Sequence, residues 1–230
     1  MLFRSTDTLP AAYPDPPAAA QSFGTELIDN LAQVHAVDWR AAGLGDFGRP
    51  EQYLERQLQR LAERYESQKV REVPHFDALT SWLQQNPPPA QTPGIIHGDY
   101  HLDNTLFSPR APRLEAIIDF ELSTIGDPLV DLGLLLAFWG PDRPSTPAMA
   151  HVQAVTRTHG APSRRDLAQR YAATSSRDVS NVAWYAAFAF WKLAAIVEGA
   201  YAQFLRGETS TEYARNLEDR KSTRLNSSHT

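Results

Sequence analysis

The sequence contains no cysteine, so it can form no disulfide bond, thiolate metal site or cysteine nucleophile. A chain of this kind is expected in a reducing compartment, and we predict the cytoplasm. An excess of one charge is also missing, because 27 acidic and 22 basic side chains give a net charge of −5 without a long block of either sign. This balance argues against a nucleic-acid partner and against a basic membrane-binding patch.

Long apolar segments are scarce as well. The most apolar run, residues 182–191, is interrupted by Lys192 and is much shorter than the roughly 20 residues that span a membrane. Residues 1–20 lack the continuous apolar segment of a signal peptide. We therefore predict no membrane association, although 42% hydrophobic residues are enough to build a core.

Apolar residues recur at helical spacing through most of the chain. The first predicted helix begins at Ser22, a residue type that caps helices well, and the second follows Pro50. Further helices are predicted at about residues 75–85, 127–139, 148–159, 164–173 and 178–205. Residues 1–21 are predicted to be a linker or a truncated remnant. Residues 218–230 lack periodicity and are predicted to be a disordered tail, which resembles translated adapter sequence and would then be an artefact.

One short zone favours β-strands. Its candidate strands are residues 95–97, 105–107 and 114–120, and the turn-forming sequence SPRAP, residues 108–112, separates the last two. The zone predicts a small β-hairpin, so the expected fold class is α+β and mostly α-helical.

The polar sequence HGDYHLDN, residues 97–104, lies inside this zone. A hairpin brings the residues at its two outer ends together, so Asn104 and Asp119 are expected to face one site. Oxygen ligands of this kind suit Mg²⁺, which takes its other ligands from water and phosphates. Asp99 would stand nearby, where its carboxylate could accept a proton from a substrate hydroxyl that attacks phosphorus.

Simpler interpretations exist for several of these residues. Asp99 and Asn104 alone are common turn residues. His97, Asp99 and His101 could form a zinc site, although a fourth ligand is not evident. His35 is interpreted as a partner of a helix dipole, and Asp127 as an acid at a helix start. Trp184 and Trp191 are interpreted as core residues, and Glu198 as solvated or salt-bridged.

The segments IIHGDYHLDN, residues 95–104, and AIIDFE, residues 116–121, resemble the HGDxxxxN and IDxE motifs of the aminoglycoside phosphotransferase and choline kinase family. The following GDPLVDLG, residues 126–133, matches that family too. VHAVDW, residues 34–39, and GLGDFGRPEQYLERQ, residues 43–57, resemble the subgroup whose kinase-like domains are joined to acyl-CoA dehydrogenases. The resemblance covers about residues 22–217 and implies the C-terminal lobe of a protein-kinase-like fold.

The resemblance also implies roles for individual residues. Asp99 would be the catalytic base, and Asn104 and Asp119 would bind Mg²⁺ and, through it, ATP. In supporting positions, His97 would orient the loop through backbone contacts, Asp131 would brace the same loop, and Glu121 could have a secondary metal role. The implied activity is ATP-dependent transfer of the γ-phosphoryl group to a hydroxyl of a small molecule.

One part of the family pattern is missing from this sequence. Kinases of this type carry a preceding β-rich lobe with a phosphate-covering loop and a strand lysine. The residues before position 95 favour helices, and their lone lysine, Lys69, follows a helix. We therefore predict a C-terminal lobe whose N-terminal lobe was lost by gene truncation and which has little activity alone. The alternative is a non-catalytic pseudokinase or interaction scaffold. No motif identifies the acceptor, although the subgroup favours a hydroxyacyl or related metabolite over an antibiotic.

Overall fold

The structure is a computed structural model that describes residues 9–140 and 153–208. These ranges contain the helices α1 (Pro16–Ala36), α2 (Tyr53–Gln68), α3 (Phe76–Gln85), α4 (Leu129–Phe138), α5 (Arg164–Ser175) and α6 (Val182–Leu205), and the strands β1 (Gly94–Ile96), β2 (Thr105–Phe107), β3 (Leu114–Ile117) and β4 (Thr124–Gly126). The predicted α+β class with mostly helical content is confirmed.

The chain divides into two compact units. Among the described residues, the first unit comprises 9–54, 87–140 and 153–189, and so contains α1, the four strands, α4, α5 and the start of α6. The second comprises 55–86 and 190–208, with most of α2, α3 and the rest of α6. The predicted division into linker, lobe and tail stays a prediction, and the tail at 218–230 lies outside the described residues.

Helix α1 is the central element of the first unit. It packs against α5 and β1, and its side chains Phe23, Leu27 and Leu31 are fully buried. The Phe23 ring lies 4.1 Å from that of Phe107 on β2, measured between centroids. The core of this unit is therefore built where the long helix covers the short strands.

Two small antiparallel sheets hold the polar motifs. The predicted hairpin is present as β2 and β3, in which Thr105 pairs with Ile117 and Leu106 with Ala116. A second sheet, which the sequence did not indicate, pairs β1 with β4 and sets Ile96 opposite Thr124. The segment between β1 and β2 begins at a strand of one sheet and ends at a strand of the other, and so does the segment between β3 and β4. Each segment is therefore fixed at both ends.

Several predicted boundaries were wrong for local reasons. Helix α1 begins at Pro16 rather than at Ser22, because the Asp15 side chain accepts the Ala18 N–H and prolines suit the first turn of a helix. Helix α6 begins at Val182 rather than at residue 178, because Asp178 accepts the Ser180 N–H in a local turn.

Two further segments differ from their predictions. Strand β3 ends at Ile117, and the chain turns into a 3₁₀ helix at Phe120–Leu122. Of the helix predicted at 148–159, residues up to 152 lie outside the described ranges, and the described remainder contains only the 3₁₀ helix Ala154–Arg157.

The second unit has its own aromatic core. The rings of Tyr65 and Phe76 stack at 3.7 Å between centroids, and Trp191 stacks on Phe76 at 5.5 Å. Glu198 is 1% exposed and accepts bonds from the Val70 N–H and the Arg71 guanidinium, which confirms the salt-bridged interpretation. Trp191 and, in the first unit, Trp184 are buried, as the core interpretation requires.

Helix α6 has the length and apolar composition of a helix that could cross a membrane. The core helix of a folded domain can have the same length and composition, and 44% of the most apolar 18-residue stretch of α6 is buried. This single helix is weak evidence for a membrane span.

Two helical glycines give a test of the packing in each unit. A Cβ at Gly133 in α4 would lie 2.6 Å from backbone atoms of Tyr185, whereas one at Gly199 in α6 would approach only the flexible end of Gln68. We expect Gly133→Ala to lower the free energy of unfolding by about 1–2 kcal/mol, because the clash exceeds the gain in helix propensity. The control Gly199→Ala should raise it by up to about 1 kcal/mol. Denaturant unfolding measures both, and equal effects would contradict the close approach.

Candidate active site

The loop after β1 is anchored by one buried carboxylate. Asp131, on the first turn of α4, is 1% exposed and accepts the His97 N–H at 2.6 Å and the Gly98 N–H at 2.9 Å. Gly98 has φ +84°, and a Cβ there would lie 2.5 Å from the Leu122 carbonyl oxygen. Glycine therefore allows the turn that directs both N–H groups at Asp131 and lets the loop lie against the segment after Asp119.

The His97 side chain joins the two motif segments. Its Nδ1 lies 3.3 Å from the Asp99 backbone nitrogen and accepts that N–H, so its Nε2 carries the proton and donates to the Ile118 carbonyl oxygen at 2.8 Å. The ring also packs 4.6 Å from that of Phe120. Both ring nitrogens are thus occupied by backbone groups, and the alternative of a zinc site at His97, Asp99 and His101 is wrong.

Asn104 fixes the carboxylate of Asp99. Its Nδ2 donates to the Asp99 side chain at 2.9 Å and to the Asp99 carbonyl oxygen at 2.8 Å. Because these two partners are oxygens, the amide nitrogen must face them, and the amide oxygen points the other way. The same nitrogen also lies 3.4 Å from His101 Nε2. Asn104 is 6% exposed, whereas the Asp99 side chain keeps 40% of its surface exposed. The arrangement holds Asp99 in place while leaving it accessible to a substrate.

Asp119 lies next to this pair. The Ile118 N–H donates to the Asn104 carbonyl oxygen at 2.9 Å, which continues the β2–β3 pairing by one step and places Asp119 just beyond it. Asp119 has φ +69° and ψ +54°, a left-handed conformation that costs energy in a residue other than glycine. Asp119 and Glu121 are both exposed. The structure thus brings Asp99, Asn104 and the segment of Asp119 to one place, and the roles of these residues stay predictions.

The donor set suits a hard divalent cation. Asn104 offers an amide oxygen because its nitrogen is used by Asp99, and Asp119 offers an exposed carboxylate. One amide and one carboxylate oxygen, with the remaining ligands taken from water and phosphate, is the set that Mg²⁺ accepts. In the described parts of the chain, no cluster of three or more His, Cys, Asp or Glu residues is placed to hold a metal alone. The residues present therefore fit a cation that arrives with a phosphate substrate.

His101 lies beside Asp99, and Gln153 lies beside His101; neither was predicted to have a role in the phosphotransfer site. His101 Nδ1 accepts from the Asp103 N–H at 3.3 Å and from Gln153 Nε2 at 3.1 Å, so its Nε2 carries the proton and faces Asp99 Oδ2 at 3.4 Å. The position of His101 inside the motif was the available signal. No sequence signal pointed to Gln153, because only the packing of distant segments brings it into contact with His101.

His35 was also missed. It was interpreted as a helix-dipole partner, but it is buried, with Nε2 at 3.2 Å from Asp131 Oδ2 and Nδ1 at 2.6 Å from the Tyr171 hydroxyl. Burial raises the pKa of Tyr171 above its ordinary value, so its hydroxyl keeps its proton at neutral pH. Its place in the matched sequence VHAVDW was the signal that could have found it.

Two more groups, one within the loop and one just before α4, are also buried. Tyr100 is fully buried and donates to the Leu27 carbonyl oxygen at 2.8 Å, and burial raises its pKa well above the ordinary value. Asp127 accepts the Tyr185 hydroxyl at 2.7 Å and the Leu129 N–H at 3.0 Å, and burial raises its pKa. Asp127 therefore stabilises the start of α4, as its sequence position indicated.

Comparison with known proteins agrees with the sequence motifs. Residues 4–168 match the model of the family described as "Phosphotransferase enzyme family". Acyl-CoA dehydrogenase family member 11 of Rattus norvegicus is 33% identical over 201 residues, which is 85% of this chain and 25% of that protein. Family member 10 of Mus musculus is 32% identical over 212 residues, with 88% and 20% covered. The chain thus spans about a quarter or less of these curated relatives.

Solved structures show the same fold. A Ralstonia eutropha JMP134 protein, assigned provisionally as an aminoglycoside phosphotransferase, is 31% identical with a TM-score of 0.78, and the match covers 95% of this chain and 67% of that one. A macrolide 2′-phosphotransferase from Brachybacterium faecium is 18% identical with a TM-score of 0.59, covering 94% and 66%. The second likeness supports the fold alone.

The buried carboxylate that anchors the loop gives a direct test. The Asp131 carboxylate accepts hydrogen bonds from His97, Gly98 and His35. In Asp131→Asn, the side-chain NH₂ would face at least one of these three N–H donors. We expect the free energy of unfolding to fall by about 2–3 kcal/mol, because charge-assisted bonds are lost and a donor is left unpaired. Denaturant unfolding at neutral pH measures this loss. The exposed control Asp46→Asn should change it by less than about 0.5 kcal/mol, and a similar small change in Asp131→Asn would contradict the anchor.

Proposed function

Because the chain belongs to the phosphotransferase enzyme family, we propose that it is the catalytic lobe of an ATP-dependent small-molecule kinase. The observation that carries the proposal is the use of the Asn104 side chain. Its nitrogen holds Asp99 in place, and its oxygen is left for a cation beside Asp119. A scaffold would not need a half-exposed carboxylate to be fixed in this way.

Asp99 supplies the base of the proposed reaction. Its carboxylate accepts the proton of the acceptor hydroxyl while the hydroxyl oxygen forms a bond to the γ-phosphorus of ATP and the bond to the ADP oxygen breaks. Asn104 keeps the carboxylate oriented, and the His101 Nε2–H faces the same oxygen of Asp99 at 3.4 Å. Mg²⁺, bound by Asn104 and Asp119, would neutralise charge on the phosphates.

The acceptor is proposed to be a small molecule that binds between Asp99 and the end of α4. The His101 ring lies 5.2 Å from that of Phe138 at the end of α4, and Gln153 contacts the same histidine. The Phe138 ring is partly exposed and is the kind of apolar group that orients a small ligand, whereas Gln153 is fully buried and acts only through His101. A hydroxyacyl or related metabolite is the proposed class. No nucleic acid or membrane is involved in the proposed reaction, and the cytoplasm is the proposed location.

Metal-dependent nucleotide binding separates the kinase from a non-catalytic scaffold. Because Asp119 would supply the anionic ligand, we expect Asp119→Asn to weaken binding of ATP in MgCl₂ by at least about tenfold. Titration calorimetry should be done on the chain and on a fusion that adds the β-rich lobe of a solved relative. The exposed control Asp77→Asn in α3 should retain the original affinity. Equal affinity in Asp119→Asn and the unchanged protein would favour the scaffold.

The role of Asp99 is tested by turnover. In the fusion, we expect Asp99→Asn to lower ATP turnover by about 10²–10⁴-fold while ATP affinity changes by less than about threefold, because the proton acceptor acts mainly during transfer. ADP release with and without a panel of hydroxyl acceptors measures this effect. Glu121→Gln, which neutralises an exposed acid nearby, is compared with Asp99→Asn in the same assay. A lower ATP affinity in Glu121→Gln would indicate the predicted secondary metal role. Full turnover in Asp99→Asn would exclude Asp99 as the base.

A further inference from the structure

Tyr171 on α5 is distant from the loop in the sequence and is linked to it only through other side chains. Its side chain is fully buried, and its hydroxyl lies 2.6 Å from His35 Nδ1 on α1. The other ring nitrogen of His35 reaches Asp131 on α4. Three helices therefore contribute one residue each to a continuous chain of hydrogen bonds that ends at the loop.

The protons in this chain can be assigned from its last member. Asp131 already accepts two backbone N–H groups, so a lone pair on His35 Nε2 would repel its carboxylate. Nε2 must carry the proton, and Nδ1 is then a buried acceptor that needs a donor. The Tyr171 hydroxyl is that donor, because Arg177 reaches only the backbone oxygen of His35, at 3.4 Å.

We propose that Tyr171 is a positioning residue, which acts through His35 and Asp131 to hold the backbone of the loop that carries Asp99. Its importance for phosphoryl transfer rests on the proposed function, but its effect on the loop does not. The hydroxyl keeps the His35 ring oriented, and the oriented imidazole holds the Asp131 carboxylate in the position that both loop N–H groups require.

Removal of the hydroxyl changes the balance at Asp131 Oδ2. This oxygen is shared by the His97 N–H at 2.6 Å and by His35 Nε2 at 3.2 Å. Without Tyr171 as donor, the His35 ring is free to turn and leaves the carboxylate with one donor fewer. The carboxylate then loses the contact that fixes its orientation, so its bonds to the His97 and Gly98 N–H groups open more often.

The first test uses the unchanged protein. Long-range ¹H–¹⁵N NMR spectra at neutral pH should show His35 as the neutral Nε2–H tautomer, with Nδ1 shifted as a hydrogen-bond acceptor. A proton on Nδ1, in a neutral ring or an imidazolium, would overturn the proposal. This measurement requires no variant and so does not depend on whether a variant folds.

The second test compares two tyrosines that each lose a buried hydroxyl. Tyr185 donates to Asp127 at 2.7 Å and not to the chain that ends at the loop, so Tyr185→Phe is the matched control for Tyr171→Phe. Amide hydrogen exchange in the peptide that covers residues 95–102 should become about fivefold faster in Tyr171→Phe, the factor expected for one lost hydrogen bond. It should keep its original rate in Tyr185→Phe.

Equal exchange in the two variants, whether faster or unchanged, would overturn the positioning role. Neither test uses ATP or metal. A protein that fails to bind nucleotide would therefore contradict the proposed function without affecting this inference, and a failure of the exchange test would leave the proposed function intact.

Discussion

The acceptance of two consecutive backbone N–H groups by the buried carboxylate of Asp131 is the interaction on which the candidate site depends. Asp131 is 1% exposed, and a carboxylate without water is stable only when protein donors replace its hydration. His97, Gly98 and His35 provide those donors. The same bonds fix the turn from which Asp99 projects, so the stability of the buried charge and the position of the proposed base have one physical cause.

The rest of the site is built outward from this turn with side chains that each make more than one contact. The His97 ring accepts from Asp99 on one side and donates to Ile118 on the other, which ties the two motif segments together. Asn104 holds Asp99 through its nitrogen and keeps its oxygen for another partner. Short strands are sufficient for such a site, because each segment is fixed at both ends by pairing. The accessible groups, Asp99 and Asp119, lie at the exposed side of this framework.

Much of this arrangement could be predicted because it is local in the sequence. The helices and the β2–β3 hairpin follow from periodicity and turn residues, and the motifs identify the phosphotransferase family. The predictions were wrong where a short-range hydrogen bond decided a boundary, as Asp15 does for α1 and Asp178 for α6. Strand β4 was missed because three residues carry too little periodicity, and its partner β1 is distant in sequence.

The sequence by itself determined which chemical groups are present and roughly where the elements that carry them begin, because spacing and capping act over a few residues. It contained Asp99, Asn104 and Asp119 in a pattern that suits phosphoryl transfer. Only the tertiary structure decided that His35, Tyr171 and Gln153 reach this pattern, since their partners lie on other helices and loops. A buried acceptor takes its donor from whichever element packs against it, and packing between distant segments leaves no periodic trace in the sequence.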